Sequence, residues 1–161
     1  MIRLHFSADP SFISRGIRFL TRFEFGHVGF LTELGTIIDS HIIYGNGVQE
    51  RPYNYGNWSR VMVCDILGPK GVHERIERTA RAWVGAPYDW TWILAFGLQR
   101  DWEEPDSWGC SELVAECCYR AGLPLHNYRT VSVKRITPRD ICLSPFVRKR
   151  YEGPPLVGGE L

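Results

Sequence analysis

The sequence predicts an α+β domain: an antiparallel sheet packed by helices, one of which begins at Cys110. Two observations carry this. Runs of apolar, aromatic and β-branched residues at 1–6, 25–32, 36–43 and 61–67 read as strands, the middle two separated by a loop of hairpin length. Segments at 10–22, 72–84 and 110–121 instead repeat apolar residues at helical spacing. Composition agrees: 44% hydrophobic and 13% aromatic residues suit a folded core, and 161 residues make one domain the default. A net charge of +1 gives no footing for nucleic-acid binding.

Taken in order, residues 1–6 alternate like a strand and hold no signal-peptide core. Asp9-Pro10 opens a helix whose apolar face is Phe12, Ile13, Ile17 and Leu20, running to about Arg22. Between the strands at 25–32 and 36–43, Glu33-Leu34-Gly35 forms a short loop in which Gly35 can take a positive φ. A three-residue loop sets His27 opposite His41, with Asp39 opposite Gly29 on the same face; a two-residue loop reverses that parity. The strand at 61–67 is closed by Gly68-Pro69, and the helix at 72–84 turns Val72, Ile76, Ala80 and Trp83 inward before Gly85. Trp90, Trp92, Phe96, Trp102 and Trp108 suggest a short helix and loop covering a site, although aromatic-rich sequence is more often core. The helix from Cys110 has Leu113, Val114, Cys117 and Ala121 on its stripe and stops at Gly122 and Pro124. Thr137-Pro138-Arg139-Asp140 starts another helix, and Arg148-Lys149-Arg150 reads as a solvated strand or terminus. We expect a single domain over 1–152 and a loose tail over 153–161.

Five cysteines, two of them adjacent, do not suggest a disulfide framework and fit a reducing compartment. No apolar run approaches a membrane span, so stable membrane insertion is not expected. The expected location is the cytoplasm when synthesised, with export or phage-mediated delivery left open.

Cys110 has an address that the other cysteines lack. A turn, Trp108-Gly109, feeds directly into its helix, and a helix N-terminus favours the thiolate that acts as a nucleophile. The alternative is a buried structural thiol, common among free cysteines. A nucleophile needs a base held by a third polar group. Among His5, His27, His41, His73 and His126, His27 lies on a strand whose neighbour carries Asp39 and His41. Asp39 otherwise reads as an exposed strand acid, and His41 as a rim or core histidine. His27, Asp39 and His41 are zinc-ligand types, but neither a fourth ligand nor paired-cysteine spacing supports them, so no metal and no cofactor are expected.

Gly26-His27-Val28-Gly29-Phe30, Ile37-Ile38-Asp39-Ser40 and Gly45-Asn46-Gly47-Val48 resemble the histidine half of an NlpC/P60 cysteine hydrolase. Gly85-Ala86-Pro87-Tyr88-Asp89-Trp90 and Trp108-Gly109-Cys110-Ser111-Glu112-Leu113-Val114 resemble its cysteine half. The histidine comes first, as in the circularly permuted branch that includes YiiX/YebB-like amidases and lecithin:retinol acyltransferase-like proteins. The resemblance covers roughly residues 11 to 120 and implies a permuted papain-like fold. It implies Cys110 as nucleophile, His27 as base and Asp39, twelve positions on, as the orienting residue, with His41 the competitor for that role. Tyr88 matches an aromatic that helps bind the oxyanion beside the Cys110 backbone N–H; its other reading is a packed aromatic in a helix-stopping turn. Ser111 and His41 are further oxyanion or substrate-binding candidates, although Ser111 and Glu112 suit support of the first helical turn. The implied activity is an amidase or peptidase on peptide linkages of bacterial cell-wall peptidoglycan. Two alternatives stand beside it: a thiol acyltransferase or lipid or thioester hydrolase, and a non-catalytic module binding cell-wall or phage-structural partners. The sequence leaves the oligomeric state open.

Overall fold

In a computed structural model of the chain, the structure describes residues 1–89, 107–127 and 136–156. The elements run β1 (Arg3–Ala8), α1 (Phe12–Thr21), β2 (His27–Leu31), β3 (Thr36–His41), β4 (Gly47–Pro52), β5 (Arg60–Ile66), α2 (Val72–Ala82), α3 (Cys110–Arg120), α4 (Pro138–Cys142) and β6 (Val147–Gly153). The strands form one antiparallel sheet in the order β4-β3-β2-β1-β5-β6. Alternation along the strands divides its two faces. Leu4, Phe6, Val28, Phe30, Ile38, Val48 and Met62 turn to one side, where they pack with Ile76 of α2 and Leu113, Val114 and Cys117 of α3. On the other side Leu31, Ile37, Tyr53 and Val63 make a smaller cluster with Tyr151 and Leu156 against it.

The β2–β3 hairpin decides where the polar groups go. Phe30 pairs with Ile38 and Leu31 with Ile37, and the Thr32 N–H donates to the Thr36 carbonyl at 2.9 Å. This is the three-residue loop, with Gly35 at φ 72°. Continued along the strands, the register sets Gly29 opposite Asp39. A Cβ on Gly29 would come within 2.6 Å of the Asp39 Cβ, so only glycine lets the Asp39 side chain lie across the strand.

Three expectations need correction. In α1 the inward residues are Ser14, Ile17 and Thr21, whereas Phe12 and Leu20 of the expected apolar face are exposed. The helix lies so close over Gly26 that a Cβ there would meet the Ser14 Oγ at 2.5 Å, and small polar side chains therefore face in. Its N-cap is Ser11, whose hydroxyl accepts the Ser14 N–H; Asp9 accepts the Ser11 N–H at 2.8 Å. Helix α2 ends at Ala82, short of the expected 84, and its C-cap Trp83 packs half-buried against the core with its ring centroid 4.8 Å from that of Trp108. At the other terminus, β6 continues to Gly153, and the Leu156 N–H donates to the Tyr53 hydroxyl at 3.1 Å. The loose tail therefore does not begin at 153, and residues 157–161 lie outside the described residues.

Arg148, Lys149 and Arg150 lie on the edge strand β6, where Arg148 and Arg150 reach Asp65 and Lys149 reaches Glu152. Of the five expected covering aromatics only Trp108 is described; Trp90, Trp92, Phe96 and Trp102 are not. Among the described residues, no helix is long and apolar enough to cross a membrane.

Candidate active site

Cys110 is the first residue of α3, capped by Gly109, whose N–H donates to the Glu112 carboxylate at 2.9 Å. The sequence folds this way because Gly109 holds an extended conformation and Glu112 sits three residues into the helix, where an acid can satisfy an otherwise unpaired first-turn donor. The preceding turn is fastened to the sheet. The Ser40 hydroxyl donates to the Trp108 carbonyl at 2.5 Å, and Tyr88 and Trp108 form a parallel bridge, with the Trp108 N–H donating to the Pro87 carbonyl at 3.1 Å. Cys110 is thereby presented at the end of β2, where His27 is the first strand residue.

His27 is buried and held from two sides. Its Nε2 lies 2.6 Å from the Asp39 Oδ2, and Cys110 is within hydrogen-bonding reach of the ring. Burial works against a charge on His27, yet the neighbouring sulfur and the Asp39 carboxylate outweigh it and push its pKa up to about 10. Asp39 is fully buried, and burial alone would raise its pKa. The hydrogen bond and charge of His27, then Arg51 and the Tyr55 hydroxyl, hold its carboxyl below the ordinary range instead. Arg51 Nη1 donates to Asp39 Oδ1, and the Tyr55 hydroxyl donates to Oδ2. Arg51 is itself fixed by the Tyr44 carbonyl at 2.9 Å and the Gly47 carbonyl at 3.2 Å. Rings wall in the imidazole: Trp58 lies parallel to it at 6.4 Å and His41 tilts against it at 4.6 Å.

Asp39, and not His41, takes the His27 Nε2. The His41 Nδ1 accepts the Ile43 N–H at 3.1 Å, and burial followed by the His27 charge lowers its pKa to about 3, keeping it neutral. His5, behind the pair on β1, is also lowered to about 3, by burial and then His27, and lies edge-on to Tyr53 at 5.3 Å. Tyr88 is buried, with its hydroxyl pKa pushed up by desolvation and then by Cys110, so it stays a hydroxyl. Cys110, His27, Ser40, His41 and Tyr88 line one cavity with Ser14 and Ile17 of α1; it holds about 20 Å³, room for one water-sized group. Ser111 is not in that lining. Its hydroxyl donates to the Ile136 carbonyl at 2.6 Å, so it fastens α3 to the segment before α4, and its expected place at the substrate is corrected.

Sequence reasoning missed Arg51, Tyr55 and Trp58. The first lies on an edge strand of mixed character and the others in the β4–β5 loop, and only the fold brings Arg51 and Tyr55 to Asp39 and Trp58 to His27. His5, a lone histidine in an alternating strand, carried no signal of its burial.

No family model matches the chain, and no curated protein matches its sequence. Among solved structures, the chain is similar in fold to metalloprotein YiiX from Escherichia coli O157:H7. The TM-score is 0.70 at 14% identity, covering 93% of this chain and 95% of that one. The likeness extends over nearly the whole chain and establishes the mixed α and β fold. The description of that protein as a metalloprotein raises the question of a metal here. Among the described residues no group of three or more His, Cys, Asp or Glu side chains could hold an ion. Asp39, the natural carboxylate ligand, already has both oxygens engaged by Arg51, Tyr55 and His27. Among the described residues, the donor set at this site does not fit a metal.

Proposed function

We propose that this chain is a cysteine hydrolase, an amidase or peptidase that works through a thiol acyl-enzyme. One observation carries the reading: the His27 imidazole is held between the Asp39 carboxylate at 2.6 Å and the Cys110 thiol at a helix N-terminus. In this reaction His27 takes the thiol proton, and the sulfur adds to the substrate carbonyl carbon, forming the C–S bond. Asp39 fixes the ring orientation and stabilises the imidazolium without taking its proton. The oxyanion accepts hydrogen bonds from the Tyr88 hydroxyl and the Cys110 backbone N–H, both placed before the reaction starts. Collapse breaks the C–N bond as His27 returns its proton to the leaving amine. Water then attacks the thioester with His27 as base, the C–S bond breaks and the thiol is restored.

The order of the residues, His27 before Cys110, and the likeness to YiiX support a permuted NlpC/P60 reading, and with it peptide linkages of cell-wall peptidoglycan as substrate. A lipid hydrolase or acyltransferase is the second reading, favoured by Ile17, Ile42 and Ile43 among the residues lining the cavity. Incubation with peptidoglycan peptides and, separately, with acyl thioesters, followed by intact-mass measurement, tests both. We expect a peptide acyl adduct on Cys110 that water removes, and none in Cys110→Ala. Retained turnover in Cys110→Ala overturns the mechanism; adducts from thioesters alone transfer the reading to the second class.

A further inference from the structure

Helix α1 is built in reverse of an ordinary surface helix. Its inner face is Ser14, Ile17 and Thr21, while its outer face carries Phe12, Phe19 and Leu20, exposed by 89%, 83% and 57%. Two aromatic rings and a leucine on a single ten-residue helix is more apolar surface than scattered exposure explains. The same segment is basic. Residues 10–23 contain Arg15, Arg18 and Arg22 and no acid, on a chain whose net charge is only +1. Arg139 of α4 adds a fourth, donating to the Thr21 carbonyl at the end of the helix at 3.2 Å. Beside Phe19, Arg15, Arg18 and Arg60 line an open depression with Ser59; Glu24 at its edge is taken up by Arg60 at 2.9 Å. Exposed Phe and Leu interleaved with arginines is the pattern that buries at the boundary of lipid headgroups and acyl chains. Each arginine near an anionic leaflet adds attraction that salt screens.

We infer that α1 docks the protein on an anionic lipid bilayer, with Phe12, Phe19 and Leu20 entering the interface and the arginines on the headgroup phosphates. Charge complementarity selects this occupant over a second copy of the chain, because two such faces would bring like charges together. Ser11, Ser14 and Ile17 on the opposite side of the same helix line the cavity that contains Cys110, so a docked α1 would stand between that cavity and the membrane. The inference goes beyond the hydrolase reading and stands independently of it: a Cys110→Ala protein keeps the whole docking face.

Co-sedimentation of the intact chain with vesicles of pure phosphatidylcholine, or of phosphatidylcholine containing 30% phosphatidylglycerol, tests it. We expect binding to the anionic vesicles, little to the neutral ones, and weakening in high salt. Phe12→Ser with Phe19→Ser should lower the affinity at least tenfold while the thermal melt stays in place, since both rings are exposed. Arg15→Gln with Arg22→Gln should lower it by about fivefold per arginine. Three outcomes overturn the inference. The chain does not bind anionic vesicles; the double Phe variant binds as tightly as the parent, meaning charge alone adsorbs it; or the parent is a dimer that the Phe variant dissociates without loss of vesicle binding.

Discussion

Helix α3 carries three cysteines, and its two ends treat sulfur in opposite ways. Burial does not distinguish them, since Cys110 is 3% exposed and Cys117 and Cys118 are 0%. At the N-terminal end the sulfur meets the His27 ring and a cavity shared with Tyr88, on the first residue of the helix. Two turns on, Cys117 and Cys118 lie among Leu113, Val114 and the sheet residues, and burial pushes both thiols up. Cys64, on the sheet, is pushed up to about 12 by burial and then by Cys142. A thiol thus becomes a candidate nucleophile through its position along the helix axis and the ring that faces it, while concealment alone makes it inert.

The comparison breaks most decisively at Cys110 itself. Cys110→Ala should lower turnover by at least about 10³-fold, measured with whichever acyl substrate the adduct experiment identifies. Cys117→Ala should leave turnover in place and show its cost only in the thermal melt. Asp39→Asn is next. It removes the group that orients His27 and leaves Arg51 buried beside a neutral amide, so we expect turnover to fall by about 10²-fold or more. The same variant should lose about 3 kcal/mol in urea denaturation. A stable, fully active Asp39→Asn protein would remove the outside support for the Cys110 end. The third test reads the two ends directly: iodoacetamide at pH 6.5 with peptide mapping should label Cys110 about 10²-fold faster than Cys117 or Cys118. Equal rates would favour the non-catalytic module.

The last test is in pH. His5 and His41 stay neutral in the fold down to about 3, whereas in the unfolded chain they take up protons near 6.5. Stability should therefore fall as pH drops from 6.5 towards 3, because the unfolded chain binds protons there that the folded histidines do not. His27 runs the other way: its contribution is complete below 6.5 and is lost as pH rises through about 10. His5→Met should remove one share of the acid limb without moving the alkaline one, and melts across pH 4–10 check this.

Much of the sheet side of the site was legible. The hairpin at Gly35 was legible from alternation and one turn residue, whereas the parity of His27 with Asp39 hung on a loop length that the sequence left open between two and three residues. The start of α3 at Cys110 was legible from Gly109 and Glu112. Strand β4 was not, because it is an edge strand of one apolar, three polar or charged residues, a glycine and a proline, with no clear alternation of its own. With it went Arg51, whose partner Asp39 is twelve residues away and is reached only across the β3–β4 pairing. Spacing in α1 gave the right helix and an inward Ile17, but it misplaced Phe12 and Leu20, which are exposed. Periodicity reports that an apolar side exists, and the tight approach of Ser14 to Gly26 decided which side went in.

The Tyr88–Trp108 bridge has a consequence for how such a chain can diversify. Residues 88 and 108 are neighbours in space, and Trp108 is tied independently to β3 through Ser40, so the chain between them leaves and returns at one point. Closing a segment whose ends are already pinned costs little more as it lengthens, about 0.6 kcal/mol for each doubling. Insertions, deletions or grafts between these anchors can therefore accumulate while Tyr88, Cys110 and His27 stay in register.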